Sequence, residues 1–501
     1  MTGIDRIGAR GAARSPDRVA IAVPGGRPWT YAELDRGASG FARSLREDGA
    51  APGDRLILTN YNTPEFFVGL FGAARAGLVA VPLDPGLAAA ELRNVLDHAR
   101  PHAVVVGDRS AAIFEPLGTP LRRIDVAVEG AADDQRGRED EGGAASPEPA
   151  LILYTSGTTG TPRGAVHSHA GVMEKLRSIV SWFGLGDDDR SMCLLPTHFG
   201  HGLVCVCLSA LHYGGTLVLC PPFDMELLPR VFALADEHRV TTFSTVPTIV
   251  RLLLRNAAIA PPVSRRLRFV TCASAPLHPE EGEAFEARFG VPLLNCYGLT
   301  EGGTWSAMSP LDPARDRRSV GVATGCRFRA ARADADGGEV SVLPAGEIGD
   351  LQISGPSVML GYHGDPEATA RVLRDGWLST GDLGSVDDRG RVYLAGRSKD
   401  LIIRAGANIY PAETEGVLLR HPEVAEAYVV GLDHAVLGEK VGACVVRKQG
   451  GQVSEKDLIA HCRDVLAAYK CPETIRFVDA VPKTSRGKVT RASLVALFAV
   501  G

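Results

Sequence analysis

LILYTSGTTGTPRG, Leu151 to Gly164, is the stretch on which the reading of this chain turns. The run Leu151 to Tyr154 is strand-like, and it enters a loop of three glycines, two serine/threonine pairs and one arginine. A helix-like segment is expected after that loop. Gly157, Gly160 and Gly164 admit positive φ, which lets successive N–H groups turn inward around an anion. Thr155, Ser156, Thr158 and Thr159 add hydroxyl donors, and Arg163 adds a fixed positive charge. Such a loop suits the β- and γ-phosphates of ATP. Its spacing is not GxxxxGK[ST], so the P-loop NTPase reading fails.

Outward from this loop, short β-branched runs alternate with helical patterns. Strands are expected at 56–59, 103–106, 151–154, 216–220, 241–245, 269–272 and 293–296, and helices at 225–238 and 279–289. Continuous apolar strands between helices argue for parallel sheets covered by helices. Residues 128–149 are polar, rich in Gly, Ala and Pro, and read as a surface loop without chemistry. From about residue 317 the texture shifts to short alternating strands and Gly turns (GEIGDLQISG, GRVYLAG). After Arg397 a unit of about 100 residues follows, with helices expected at 411–420 and 455–469. The expected division is 1–397 and 398–501.

The 501 residues are 45% hydrophobic, enough for a large core, and the net charge of -5 offers no basic field for nucleic acid. The ten cysteines are scattered, several inside apolar runs such as LVCVCLSAL, and read as reduced, buried side chains. No uncharged stretch approaches the roughly 18 residues of a membrane span, and the N-terminal segment lacks an apolar h-region. A cytoplasmic chain with no membrane partner is expected.

Four further motifs carry polar groups at strand ends or turns. NCYGLTEGG, Asn295 to Gly303, ends an apolar strand with an aromatic and an acid; TCASAPL places Ser274, Ala275 and Pro276 after another strand. DGWLSTGDLG holds Asp382 in a Gly-flanked turn, where a carboxylate can accept from two adjacent hydroxyls. It is preceded by GYHGDPEATA and followed by AGRSKD with Arg397. PKTSRGKVTR brings Lys488, a point charge on a flexible stem, near the C-terminal end.

In this order the motifs resemble the adenylate-forming superfamily: acyl-CoA synthetases, carrier-protein adenylation domains and firefly-type luciferases. The resemblance runs from about Asp17 to Lys488. It implies an α/β fold with a large N-terminal domain of two αβα-layered sheets plus a small β-barrel, and a mobile α+β C-terminal domain. It implies ATP with Mg²⁺, a small carboxylic acid, and the thiol of CoA or phosphopantetheine as acceptor. On the family pattern Tyr297 stacks on adenine, Asn295 faces its amine, and Cys296 and Gly298 flank them. Ser274, Ala275 and Pro276 line the adenine. Thr300 lies near the α-phosphate, Glu301 and Thr155 serve Mg²⁺, and Asp382 and Arg397 reach the ribose. Lys488 is the adenylation lysine, Lys399 the hinge, and Gly406 part of the thiol tunnel.

LLPTHFGHGLV resembles the segment that gates the acyl pocket, with His198 and His201 both candidates. Phe243, Val246, Gly302, Gly303, Thr304 and Trp305 are further pocket candidates. No Asp stands in the gating segment, which disfavours an α-amino acid. Three positions depart from the common pattern: Arg163 replaces lysine, Ala405 replaces the first glycine of a pair, and Leu437 stands where many CoA-using relatives have Trp. Leu437 offers less stacking area to the CoA adenine, so an acyl-carrier protein is the alternative acceptor.

Overall fold

The computed structural model describes the chain apart from residues 1–2, 61, 85, 108–109, 125–144, 156–162, 334–339, 406, 483–488 and 500–501. It divides into two compact units. The first comprises residues 1–328, 353–380 and 390–392; the second comprises 329–352, 381–389 and 393–501.

In the first unit, described strands form two large sheets. The seven-stranded sheet runs, in spatial order, Gly361–Tyr362, Arg163–Ser168, Pro149–Thr155, Val79–Pro82, Arg55–Leu58, Ala103–Val105, Leu121–Arg122. The nine-stranded sheet runs Val322–Ala323, Thr304–Met308, Leu293–Leu299, Phe269–Cys272, Thr242–Thr245, Arg190–Cys193, Thr216–Leu219, Val19–Ala22, Trp29–Thr30. Pairings are parallel through the middle of both sheets and turn antiparallel at both ends of the nine-stranded sheet and at the Gly361–Tyr362 end of the seven-stranded one, whose Leu121–Arg122 end stays parallel.

Side-chain alternation along each strand sends successive residues to opposite faces. Leu56 and Leu58 join one core with Phe41, Phe67 and Phe71, whereas Ile57 joins another with Leu92 and Val95. In the same way Val270 and Cys272 face the main core, while Phe269 packs with Ile179, Phe183 and Trp305. Helices therefore cover both faces. Their ends are set locally: Thr30 and Glu33 form a reciprocal capping box on Tyr31–Glu47, and the Ser168 hydroxyl accepts from Gly171 N–H at the start of His169–Phe183.

The helix expected directly after the glycine loop begins only at His169. Arg163–Ser168 is a strand that returns antiparallel to Pro149–Thr155, with Thr155 opposite Arg163 and Tyr154 opposite Gly164. The reason lies in Gly164, where a Cβ would come within 2.5 Å of Ile152 Cγ2; glycine lets the two strands close.

A further sheet contains Arg327–Ala333, Gly349–Ser354 and Trp377–Val386. In the second unit, five strands form a sheet ordered Ala407–Ile409, Ile402–Arg404, Gly438–Arg447, Val424–His434, with Thr474–Phe477 also pairing Gly438–Arg447. Its core gathers Ile402, Ile409, Val417, Leu418, Val441 and Leu458. The helix expected at 455–469 stops at Arg463; the chain turns through exposed Val465 into a short 3₁₀ turn, Ala468–Lys470.

Candidate active site

The strand Leu293–Leu299 carries Asn295, Cys296, Tyr297 and Gly298 toward a 3₁₀ turn, Thr300–Gly302. Gly298 lies so close to the next strand that a Cβ would overlap Thr304 O at 1.7 Å, and Gly303 takes φ +76 with Ser357 O 2.2 Å from where a Cβ would sit. These two glycines let the turn fold tightly. It is then fixed from outside: Met359 N–H donates to Glu301 O (2.8 Å), and Ser357 Oγ donates to Gly302 O (3.3 Å).

Glu301 is half-buried, and its Oε1 accepts from the Tyr362 hydroxyl at 2.9 Å. The Arg163 guanidinium stands 5.7 Å from the centroid of the same Tyr362 ring. Burial, together with the Glu301 charge, raises the Tyr362 pKa, so the hydroxyl remains a donor. An acid, a phenol and a base thus meet beside the glycine-loop hairpin. Thr155 Oγ1 donates to Arg163 O at 3.4 Å. Ser156, Gly157, Thr158, Thr159 and Gly160 lie outside the described residues.

Ser274, Ala275 and Pro276 form an exposed loop after Phe269–Cys272. Ser274 is held at φ +75, a costly conformation for a residue with a side chain. Its hydroxyl meets His201 Nδ1 at 2.9 Å, while His201 Nε2 meets Ser244 Oγ at 2.7 Å. The chain continues from Thr271 Oγ1, which donates to Ser244 Oγ at 2.8 Å. The His201 ring packs edge-on against Trp305, with centroids 5.3 Å apart. Burial pushes the His201 pKa down to about 3, so the ring is neutral at pH 7.

His201 opens a π-type helix, His201–Leu208, a widened turn often found at functional positions. The loop before it is pinned by reciprocal bonds: Asn62 N–H donates to Thr197 Oγ1, and Thr197 N–H to Asn62 Oδ1, both at 2.9 Å. Of the two candidate histidines, His201 joins the other pocket residues. His198 is directed elsewhere, with Nε2 3.7 Å from Asp84 Oδ2 and its ring 4.2 Å from that of Phe199.

Phe243 is 1% exposed and packs on Phe232, and it lines a cavity with Ser244 and Trp305. Val246 caps the next helix, Pro247–Arg255. Thr304 is buried at φ +78, rare for a β-branched residue, and its Oγ1 accepts from Cys205 Sγ at 3.0 Å. Tyr297 is buried, with its ring 6.1 Å from that of Phe328.

In the second unit, Arg397 Nε donates to Asp382 Oδ1 at 2.8 Å; Asp382 is buried and Arg397 mostly exposed. Lys399 lies in a 3₁₀ turn, Ser398–Asp400, and its carbonyl accepts from Arg491 at 3.3 Å. Gly406 and Lys488 lie outside the described residues. Ala405 takes φ +49, the left-handed region a glycine would enter freely.

Sequence reasoning missed Tyr362, Ser244 and Lys175. Polar Ser244 inside the buried strand Thr242–Thr245 was a readable signal; Tyr362 stood within the quoted GYHGDPEATA without a partner to suggest its role. Among described residues, no cluster of three or more metal-ligand side chains occurs, and no helix is long and apolar enough to cross a membrane.

The chain matches the family described as AMP-binding enzyme over residues 9–363, and AMP-binding enzyme C-terminal domain over 413–488. It is 34% identical to the feruloyl-CoA synthase of an Amycolatopsis species, over 98% of each chain. It is 34% identical to the sulfoacetate–CoA ligase of Cupriavidus necator, over 97% of this chain and 96% of that one. In three dimensions it is similar to ATP-bound MatB from Rhodopseudomonas palustris, with TM-score 0.88 and 31% identity over 100% of this chain and 99% of that one.

Proposed function

Since the chain belongs to the AMP-binding enzyme family of adenylate-forming ligases, we propose that it activates a small carboxylic acid with ATP and transfers the acyl group to the CoA thiol. The observation that carries this reading is the grouping of Glu301, Tyr362 and Arg163 beside the glycine-loop hairpin. One place there offers both a hard carboxylate oxygen and a fixed cation.

A carboxylate is ionised at pH 7 and is a poor acyl donor until one oxygen leaves as part of a stable group. Attack of that oxygen on the α-phosphorus of ATP forms the P–O bond of the acyl-adenylate and expels pyrophosphate. Two anions must be brought together, so the protein's contribution is positioning and charge compensation. Arg163 and the hydroxyls of Thr155, Ser156, Thr158 and Thr159 hold the leaving phosphates, together with Gly157 and Gly160 of the same loop. Thr300 lies at the α-phosphate. The oxygen donors of Glu301, oriented by Tyr362, and of Thr155 fit Mg²⁺, which when bound neutralises phosphate charge. Lys488 bridges the substrate carboxylate and the α-phosphate and offsets the charge that grows there.

Tyr297 offers an aromatic face to adenine, Asn295 its side-chain amide to the adenine edge, and Cys296, Gly298 and Ser274 to Pro276 complete that wall. Asp382 accepts from the ribose hydroxyls, with Arg397 beside it. His201, Phe243, Gly302, Gly303 and Trp305 bound the acyl group. For the second step, residues 398–501 reorient about Lys399, bringing the Gly406 loop to the thiol tunnel. The thiolate attacks the acyl carbonyl, the C–S bond forms, and AMP leaves with the electron pair of the broken C–O bond.

Incubating the protein with ATP, Mg²⁺, a panel of acids and either CoA or a holo carrier protein, then weighing the products, tests this reading. Acyl-CoA is expected. Thioester on the carrier protein alone, or pyrophosphate release with neither thioester, would contradict it.

A further inference from the structure

Trp305 is 4% exposed, and its indole Nε1 is buried with no hydrogen-bond partner among the described residues. A buried donor left unpaired costs about 1–3 kcal/mol, so such an atom asks for an occupant. The rest of the residue is firmly held. Lys175, itself 1% exposed on the helix His169–Phe183, donates from Nζ to Trp305 O and, at 3.3 Å, to Thr324 O. The indole is wedged between His201 at 5.3 Å and Phe183 at 6.4 Å, both edge-on. Its ring cannot easily turn away to find a partner elsewhere.

Trp305 forms part of the wall of a cavity just large enough for a group of water size. The remaining wall joins apolar side chains, Phe183, Phe243 and Phe269 among them, to hydroxyl-bearing ones that include Ser191, Ser244 and Thr271. No charged side chain lines it. The nearby Lys175 ammonium is turned onto two backbone carbonyls, and His201 has both ring nitrogens engaged by serine hydroxyls. The cavity is thus uncharged, and among the described residues the indole N–H is the donor in its wall left unmatched. A second carboxylate on the acid would enter it without a counter-charge.

We infer that the Trp305 indole N–H is a specificity-determining donor that selects acids whose apolar acyl body ends in one neutral oxygen, a hydroxyl, ether or ketone. This deepens the ligase reading above and rests on it. A site built to donate to a substrate oxygen discriminates strongly against the analogue that lacks it, because that analogue leaves the donor unpaired.

The test uses the full chain and acid-dependent ATP–pyrophosphate exchange with matched arylalkanoic acids. Each set differs only at the far ring position, bearing hydroxyl or methoxy, hydrogen, or carboxylate. In the wild type, kcat/KM for the oxygen-bearing acid should exceed that of the hydrogen analogue by about tenfold or more. The carboxylate-bearing acid should be the poorest. In Trp305→Phe, which keeps the aromatic body and deletes the N–H, the oxygen-to-hydrogen ratio should fall toward 1. Equal wild-type rates for the pair, a preference for the carboxylate, or an unchanged ratio in the variant would overturn the inference, the cavity then holding only a water. The wild-type comparison stands even if the variant fails to fold. Exchange with no acid at all would sink the ligase reading and this inference together, whereas exchange without discrimination sinks this one alone.

Discussion

Deleting one oxygen atom from Tyr362 isolates what Glu301 owes to its neighbour. The Tyr362 hydroxyl donates to the carboxylate at 2.9 Å and stands beside Arg163. In Tyr362→Phe the carboxylate loses its orienting donor, worth about 1–1.5 kcal/mol, so exchange should fall roughly tenfold and need more Mg²⁺ for half-saturation. An unchanged Mg²⁺ dependence would remove Glu301 from the metal role. At Ala405 the gain runs the other way. Its φ of +49 strains any residue with a Cβ. Ala405→Gly should raise the stability of the second unit by about 0.5–1 kcal/mol, read as a higher urea midpoint. Ala405 is already marked in the sequence by the glycine it replaces, whereas the Tyr362 effect follows from a contact that no spacing rule there exposes. The choice between His198 and His201 is of the same kind: both lie in one short segment, and only the fold sends one to Ser244 and the other to Asp84.

At the scale of elements, Arg491 deserves a test of its own because it opens the last helix, Arg491–Ala499, and ties down the turn at Lys399. It also pairs with Glu439, whose other oxygen accepts from Ile403 N–H at 2.7 Å. Arg491→Ala should leave pyrophosphate exchange within about twofold and slow thioester formation about threefold or more, if the Lys399 turn governs the second step. Equal loss in both steps, measured by rapid quench, would point to a merely destabilised unit. Elements were the most legible part of the sequence. Phe269–Cys272 and Pro279–Phe289 fall at the residues their apolar patterns predict. One misreading came at Arg163–Ser168, where RGAVHS lacks a strong strand pattern and pairs only because Gly164 allows close approach to Ile152. Tertiary contact decided that segment, and local propensity could not.

For the molecule as a whole, several histidines of the first unit are held in their neutral form, His167 fully buried and His201 and His212 partly so. Burial pushes the pKa of His167 down to about 4, of His201 to about 3 and of His212 to about 4. Each binds a proton in the unfolded chain near pH 6.5 but not in the folded one until far lower. The unfolded state therefore binds more protons between about pH 6.5 and 4, and stability must fall as pH drops through that window. Calorimetry should show the melting temperature of the first unit declining steadily below pH 6.5; a flat profile down to pH 4.5 would mean these rings are not buried as described. The proposed chemistry is shared along the chain: phosphates held at the glycine loop, a carboxylate oriented by a phenol, and a lysine near the C-terminal end that compensates charge during adenylation. Acid-dependent ATP–pyrophosphate exchange by Lys488→Gln, set beside acyl-CoA formation from supplied acyl-adenylate, examines that proposal most directly. A fall in exchange of about a hundredfold or more with the thioester step preserved is the predicted result; exchange at the wild-type rate would contradict it.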